Sequence, residues 1–271
     1  MRADFHVHSN MSFDSPEPMA NSIRAAIDLG FSAICFTDHF DLVAAEIPGK
    51  LIGAEARDAW VCSYAEIEGV RAQFGDQIEI LLGMELGEGA QDPVSAKSAA
   101  DLPELDYVLG SIHSVTGIKD FYYLDYPDHA TCLSLAEAYL DENIKFATDD
   151  PFDCLAHVGF VNRYMVRQGF EVDFMVFAEK LRHLFRILIE NGRGIELNTS
   201  GLRQGTGTSF PTLPVLRLYK ECGGEIITVG SDSHRASDVG RHFDEAYALL
   251  GEAGFQYQTI FRQRKPTFIP L

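Results

Sequence analysis

The sequence predicts a parallel α/β fold, and three observations carry that prediction. Short apolar runs rich in β-formers alternate with longer amphipathic runs from one end of the chain to the other. Glycine or proline punctuates most of the junctions. At 271 residues and 46 % hydrophobic content, the chain can bury one barrel-sized core or two small ones. No low-complexity linker, fixed-period repeat or break in composition divides it, so residues 1–271 read as a single domain.

Taken in order, strand one is Ala3–His8, and Pro16 and Pro18 open a helix that runs to about Leu29 and closes at Gly30. Strand two, Ala33–Thr37, leads into Asp38 and His39. The stretch Phe40–Gly53 reads as a loop, long enough to expect a lid or a substrate loop. A helix from about Glu55 to Phe74 ends at Gly75, and strand three is Glu79–Glu85. A short helix near Ser95–Asp101 precedes strand four, Asp106–His113. A helix over Leu133–Ala147 precedes strand five, Cys154–His157. The run Val172–Glu190 places Phe174, Phe177, Leu181, Leu184, Phe185 and Leu188 at helical spacing. Strand six is Gly194–Asn198, a helix covers Leu213–Lys220, and strand seven is Ile226–His234. The last helix, Val239–Leu250, is followed by a tail to Leu271.

Charge and cysteine usage narrow the class. With 40 acidic against 22 basic residues, a net charge of −18 argues against a nucleic-acid binder that works by neutralising phosphates. A phosphorylated ligand would instead need local positive charge, from metal ions or a few placed arginines. The five cysteines are scattered without a CxxC pair, and Cys35 and Cys154 lie in apolar strand-like runs. That pattern fits reduced, buried thiols and not a disulfide framework or a thiolate zinc site. No apolar run reaches the ~18 residues of a membrane span, so a soluble cytoplasmic protein is expected.

The chemistry sits at the strand ends. His6 and His8 alternate along strand one and so share a face, with Phe5 and Val7 expected to point the other way into packing. Alone, such a pair fits an incidental couple on a half-buried strand as well as a metal pincer. The other termini decide it: His39 follows strand two, Glu85 ends strand three, His113 strand four, His157 strand five, and Asp232 with His234 strand seven. Only the sixth strand lacks a ligand. Parallel α/β sheets gather their carboxyl ends on one surface, so side chains far apart in sequence are expected to meet there. The parity agrees, since Ala33, Cys35, Thr37 and His39 share a face while Ile34 and Phe36 turn to the helices. The remaining histidines, His129, His183 and His242, read as surface residues, and Trp60 as core. Gly205-Thr206-Gly207 is too short a signal to read as a phosphate loop, and Ser231 and Ser233 lack a nucleophile elbow.

His6-Val7-His8, Thr37-Asp38-His39, Gly83-Met84-Glu85, Gly110-Ser111-Ile112-His113, Ala156-His157 and Gly230-Ser231-Asp232-Ser233-His234 together resemble the ordered motifs of the polymerase and histidinol phosphatase (PHP) superfamily. Glu196–Arg203 and Asn162-Arg163-Tyr164 resemble its histidinol-phosphate phosphatase branch, and the match spans nearly the whole chain. The resemblance implies a distorted seven-stranded (β/α)7, TIM-like barrel holding three divalent transition-metal ions (Zn, Mn or Fe). It implies one ion on His6, His8, Glu85 and Asp232, a second on Glu85, His113 and His157, and a third on Asp14, His39 and His234. Asp14 stands where the histidinol phosphatases place an acid; read without the family, it is a cap for the first helix. Glu85 would bridge two ions, and Arg163 and Arg203 would fork the substrate phosphate. Asp38 or a metal-bound water would protonate the leaving group. The branch often carries an acid two residues after the fifth-strand histidine, and here Gly159 occupies that place.

The implied activity is hydrolysis of L-histidinol phosphate to L-histidinol and inorganic phosphate by metal-activated water, a step of histidine biosynthesis. Two other readings stay open: the same site on another phosphoester (nucleotide, sugar phosphate or phosphotyrosine), or a non-catalytic metal-bound interaction domain. The expected partner is a small phosphorylated substrate, with no nucleic acid or membrane and with oligomeric state undetermined.

Overall fold

The computed structural model describes residues 1–43, 53–102, 104–149 and 151–271. The first half of the chain forms β1 (Ala3–Val7), α1 (Met19–Asp28), β2 (Ala33–Phe36), β3 (His39–Asp41), α2 (Gly53–Phe74), β4 (Glu79–Gly87), α3 (Pro93–Ala100), β5 (Tyr107–Ser111) and α4 (His129–Asp149). The second half forms β6 (Cys154–Leu155), α5 (Asn162–Arg167), α6 (Ala178–Glu190), β7 (Gly194–Asn198), α7 (Ser200–Arg203), α8 (Leu213–Glu221), β8 (Ile227–Gly230), α9 (Phe243–Ala253), β9 (Tyr257–Arg262) and β10 (Lys265–Pro270).

Strands β1, β2, β4, β5, β6, β7 and β8 pair in that order, all parallel. The sheet then returns on itself: Val7 bridges Ser233, His8 N–H donates to Ser233 O at 2.9 Å, and Asp232 N–H donates to His6 O at 2.8 Å. The result is a nearly closed seven-stranded TIM-like barrel, as expected. Two layers of apolar side chains hold it. Ala33 and Cys35 lie inside with Ala3, Phe5, Tyr107, Leu109 and Cys154, whereas Ile34 and Phe36 join the layer under the helices. Small residues inside β2 and β6 leave room for the large Phe5 and Tyr107, whose rings meet edge to face at 5.2 Å.

The expected alternation along β1 fails at one point, and the site depends on it. The pairing with β2 shifts register between Asp4 and Val7. Phe5 therefore stays inside the barrel while Val7 lies under the helices, and His6 still faces inward above Phe5. A bulge re-aims a side chain in this way without ending the strand.

Other departures have local causes. The expected loop Phe40–Gly53 begins with β3, which pairs with the end of β4 (His39↔Glu85, Asp41↔Gly87), and its residues 44–52 lie outside the described residues. The expected helix Val172–Glu190 begins as a single 3₁₀ turn, Phe174–Phe177, before α6. The last helix starts at Phe243 and not at Val239. The tail is no tail: β9 and β10 form an antiparallel hairpin whose Ile260, Phe261 and Ile269 plug the barrel floor. Burying Phe261 there contributes about 2 kcal/mol. The hairpin turn is anchored by Asp106, which takes Gln263 N–H on its carboxylate and Arg264 N–H on its carbonyl, both at 3.0 Å.

Candidate metal centre

The open end of the barrel receives every strand terminus that carries a candidate ligand. Glu85, near the end of β4, is the hub and is buried. Its Oε2 lies 3.4 Å from Nε2 of both His6 and His8 and 3.1 Å from His39 Nδ1. Its Oε1 lies 3.3 Å from His113 Nε2 and 3.2 Å from His157 Nε2. Asp232 Oδ1 is 3.8, 3.7 and 3.6 Å from His6, His8 and His234. Asp14 Oδ2 reaches His234 Nε2 at 3.0 Å and His39 Nε2 at 3.6 Å. Asp14 is thus not a cap: α1 begins after Pro18 with no side-chain cap bond. All nine expected ligands meet in one cup.

Their donor atoms fall into sets that a cation could bridge, each within 4.8 Å: His6, His8 and Asp232; Glu85, His113 and His157; His8, Asp14, His39 and His234. A further set, His39, Asp41 and His113, brings in a carboxylate outside the nine expected residues. Two of the candidate ligands, His157 (φ 26°) and Asp232 (φ 53°), hold left-handed backbone that side-chain-bearing residues rarely adopt.

Hydrogen bonding aims the imidazoles. Ser12 Oγ has one proton and gives it to Asp38 at 2.7 Å, so it accepts from His8 Nδ1–H at 3.0 Å. Glu196 Oε1, 2.7 Å from His6 Nδ1, accepts in the same way. Both rings therefore turn Nε2 into the cup, where the two nitrogens stand 3.1 Å apart. Two lone pairs at that distance repel unless a proton or a cation lies between them. Beside them Glu85 Oε2 is buried without a hydrogen-bond partner among the described residues. A divalent cation satisfies all three atoms, which is the fit expected of mixed imidazole and carboxylate ligands.

The electrostatics agree. Burial opposes charge on His6, but Glu196, Glu85 and Asp232 outweigh it and hold the ring well above its ordinary pKa. His39 is partly buried yet pushed up to about 10 by Glu85 and Asp14. Burial, with His234 and His39 nearby, holds His8 well below its usual value. Burial alone would raise Glu85 and Asp232, yet neighbouring cations hold both well below the carboxylate range: His39, His6 and His113 for Glu85, and His6, Arg163 and His234 for Asp232. Cation binding must therefore displace protons from the cup.

Two expected roles look different in place. Asp38, the candidate acid, turns away from the cavity and accepts from Ser9 N–H (2.7 Å), Ser9 Oγ (2.8 Å), Ser12 Oγ (2.7 Å) and Ser63 Oγ (3.0 Å). It steadies the loop that aims His8. Arg203, expected to fork phosphate, does not line the cavity; it donates to Ser231 O and Asp232 O, both at 2.5 Å, and braces the loop bearing Asp232. Arg163 does face the cavity, donating to Ser200 Oγ at 2.6 Å and Asp232 Oδ2 at 2.9 Å with its guanidinium 4.4 Å above the Phe160 ring. Glu196, which the pattern of strand-end ligands does not mark, accepts from His6 and, at 3.0 Å, from His157 N–H. Its inward parity with Asn198, at the carboxyl end of β7, was the available signal. Gly159 has φ 97°, so that place suits glycine and strains any other residue. His129 and His183 are exposed and Trp60 is buried, as expected.

Above the cup opens a cavity of about 410 Å³, walled by Asp120, Tyr122, Tyr123, Phe160, Arg163 and Tyr164 among others, large enough for a small organic ester. A family model described as PHP domain matches residues 4–200. The histidinol-phosphatase of Lactococcus lactis subsp. lactis is 26 % identical, over 97 % of this chain and 96 % of that protein. A probable histidinol-phosphatase of Clostridium acetobutylicum is 28 % identical over 91 % of each. The crystal structure of histidinol phosphate phosphatase from Lactococcus lactis subsp. lactis, complexed with zinc, L-histidinol and phosphate, superposes with a TM-score of 0.74 at 25 % identity, covering 98 % of both chains.

Proposed function

The chain belongs to the PHP domain family, and from that membership we propose that it is a metal-dependent phosphomonoesterase acting on L-histidinol phosphate to give L-histidinol and inorganic phosphate. One observation supports this most strongly: a single buried carboxylate, Glu85, lies within 3.4 Å of five imidazoles from four strand ends. The names and the bound L-histidinol and phosphate of the Lactococcus relative supply the substrate.

In this reading residues 1–271 act as one domain. His6, His8, Glu85 and Asp232 hold one divalent ion, Glu85, His113 and His157 a second, and Asp14, His39 and His234 a third, as zinc, manganese or iron. Such ions, when bound, acidify water and offset the charge that builds on a transferring phosphoryl group. Glu196 on His6, and Ser12 held by Asp38 on His8, fix ring orientation so that these two imidazoles present a lone pair and not a proton to the ion. Arg163, always charged and stacked on Phe160, orients the phosphoryl oxygens at the mouth of the cup. Arg203 keeps Asp232 in its unusual backbone conformation. No described helix is long and apolar enough to cross a membrane, and the described cysteines are free; we place the reaction in the cytoplasm.

The test is a panel of phosphomonoesters with purified protein. L-histidinol phosphate is expected to give the highest kcat/KM, activity to vanish after chelation, and zinc or manganese to restore it. A chelator-resistant rate, or a nucleotide, sugar phosphate or phosphotyrosine turned over faster, would overturn the reading.

A further inference from the structure

A buried polar chain joins Arg163, at the mouth of the cup, to the histidines inside it. Along β7 and into α7, Glu196, Asn198 and Ser200 fall at alternate positions, and all three are at most 1 % exposed. Ser200 N–H can only donate, so the Asn198 atom 2.9 Å from it is the acceptor Oδ1. The other end of that amide, Nδ2, then donates to Glu196 Oε2 at 3.1 Å. Asn198 Oδ1 also lies 2.6 Å from Ser200 Oγ, whose one proton must go there. The hydroxyl is left to accept, and it accepts from Arg163 Nη2 at 2.6 Å. Every direction of donation is therefore fixed, from Arg163 to Ser200 to Asn198 to Glu196. The run ends on the carboxylate that accepts from His6 Nδ1–H and His157 N–H.

Arg163 Nη2 carries two hydrogens, and the second goes to Asp232 Oδ2 at 2.9 Å. That carboxylate is an opposite charge almost out of water, and Coulomb attraction alone would draw the guanidinium flat onto it. Ser200 holds the same nitrogen from another side, and the Phe160 ring lies 4.4 Å beneath the guanidinium carbon. Contacts from three directions fix a planar group. They also leave a donor unspent, since Arg163 Nε is buried without a hydrogen-bond partner among the described residues. We propose that Ser200, oriented by Asn198 on Glu196, is the positioning residue for Arg163 and keeps its guanidinium at the mouth of the cup instead of collapsed on Asp232. Ser200 does not line the cavity and acts through the arginine. This rests on the phosphomonoesterase reading and on the phosphate role given there to Arg163.

The test is a double-mutant cycle. Ser200→Ala removes the hydroxyl and keeps the backbone bond from position 200 to Asn198 Oδ1. It is expected to lower kcat/KM for L-histidinol phosphate about tenfold. Inorganic phosphate, titrated calorimetrically into the zinc-loaded protein, is expected to bind about tenfold more weakly, with zinc content unchanged. In an Arg163→Ala background the same substitution is expected to change kcat/KM by less than about twofold, because residues that act through one another are not additive. The same loss in both backgrounds means that Ser200 acts without the arginine, and overturns the assignment. So does an unchanged phosphate affinity in the single variant, or a loss of zinc in proportion to rate. Metal-loaded wild-type protein inert toward L-histidinol phosphate and p-nitrophenyl phosphate would instead overturn the phosphatase reading, a result no Ser200 variant can give.

Discussion

Glu85→Gln lowers kcat on a phosphomonoester by at least about 10³-fold, the loss expected when a preorganised charge at the reacting centre is removed. The substitution keeps shape and volume and deletes one negative charge that five imidazoles share. Two effects follow. The sets containing Glu85 lose their bridging oxygen, so bound metal falls with activity. In the metal-free protein, His39 loses the carboxylate that most favours its charged form, and its pKa drops from about 10 toward the ordinary imidazole value. Steady-state kinetics, elemental analysis and an NMR titration of the histidines read the three outcomes separately. A Glu85→Gln enzyme with near-normal kcat and full metal content would show that the carboxylate is a bystander.

Arg163→Ala lowers kcat/KM by about 10²-fold, and Arg163→Lys recovers only part of it. A charge-assisted hydrogen bond contributes roughly 1.5–3 kcal/mol, and a lysine keeps the charge without the planar fork. Arg163 also touches Asp232 Oδ2 at 2.9 Å, so metal content must be measured beside the kinetics. Loss of rate at constant metal content identifies Arg163 with the substrate phosphate. Loss of metal in proportion to rate would reduce it to a brace for Asp232, the role that Arg203 holds through backbone carbonyls.

The convergence of the candidate ligands is legible in the sequence because a parallel barrel converts strand order into spatial proximity. His6, His39, Glu85, His113, His157 and Asp232 needed only approximate strand ends to be placed together, and boundary errors of a few residues did no harm. Direction was harder to read. Arginine chemistry says that Arg203 can grip an oxyanion, not that its donors turn to Ser231 O and Asp232 O. Aspartate chemistry says that Asp38 can move a proton, not that three serines enclose it. The bulge that lets Phe5 and His6 both face inward leaves no mark in the alternation. Nor did the closing hairpin: its turn residues Gln263 and Arg264 adopt positive φ (48° and 63°) without glycine or asparagine, because the distant Asp106 supplies the hydrogen bonds.

Chelator-stripped protein titrated with Zn²⁺, with bound metal and released protons followed together, tests most directly whether the strand ends form one cation-binding cup. Three equivalents are expected to bind. Proton release should be largest near neutral pH and fade as pH approaches the value of about 10 to which His39 is raised, with affinity rising over the same range. One equivalent or none, or uptake without proton release, would contradict a shared cup.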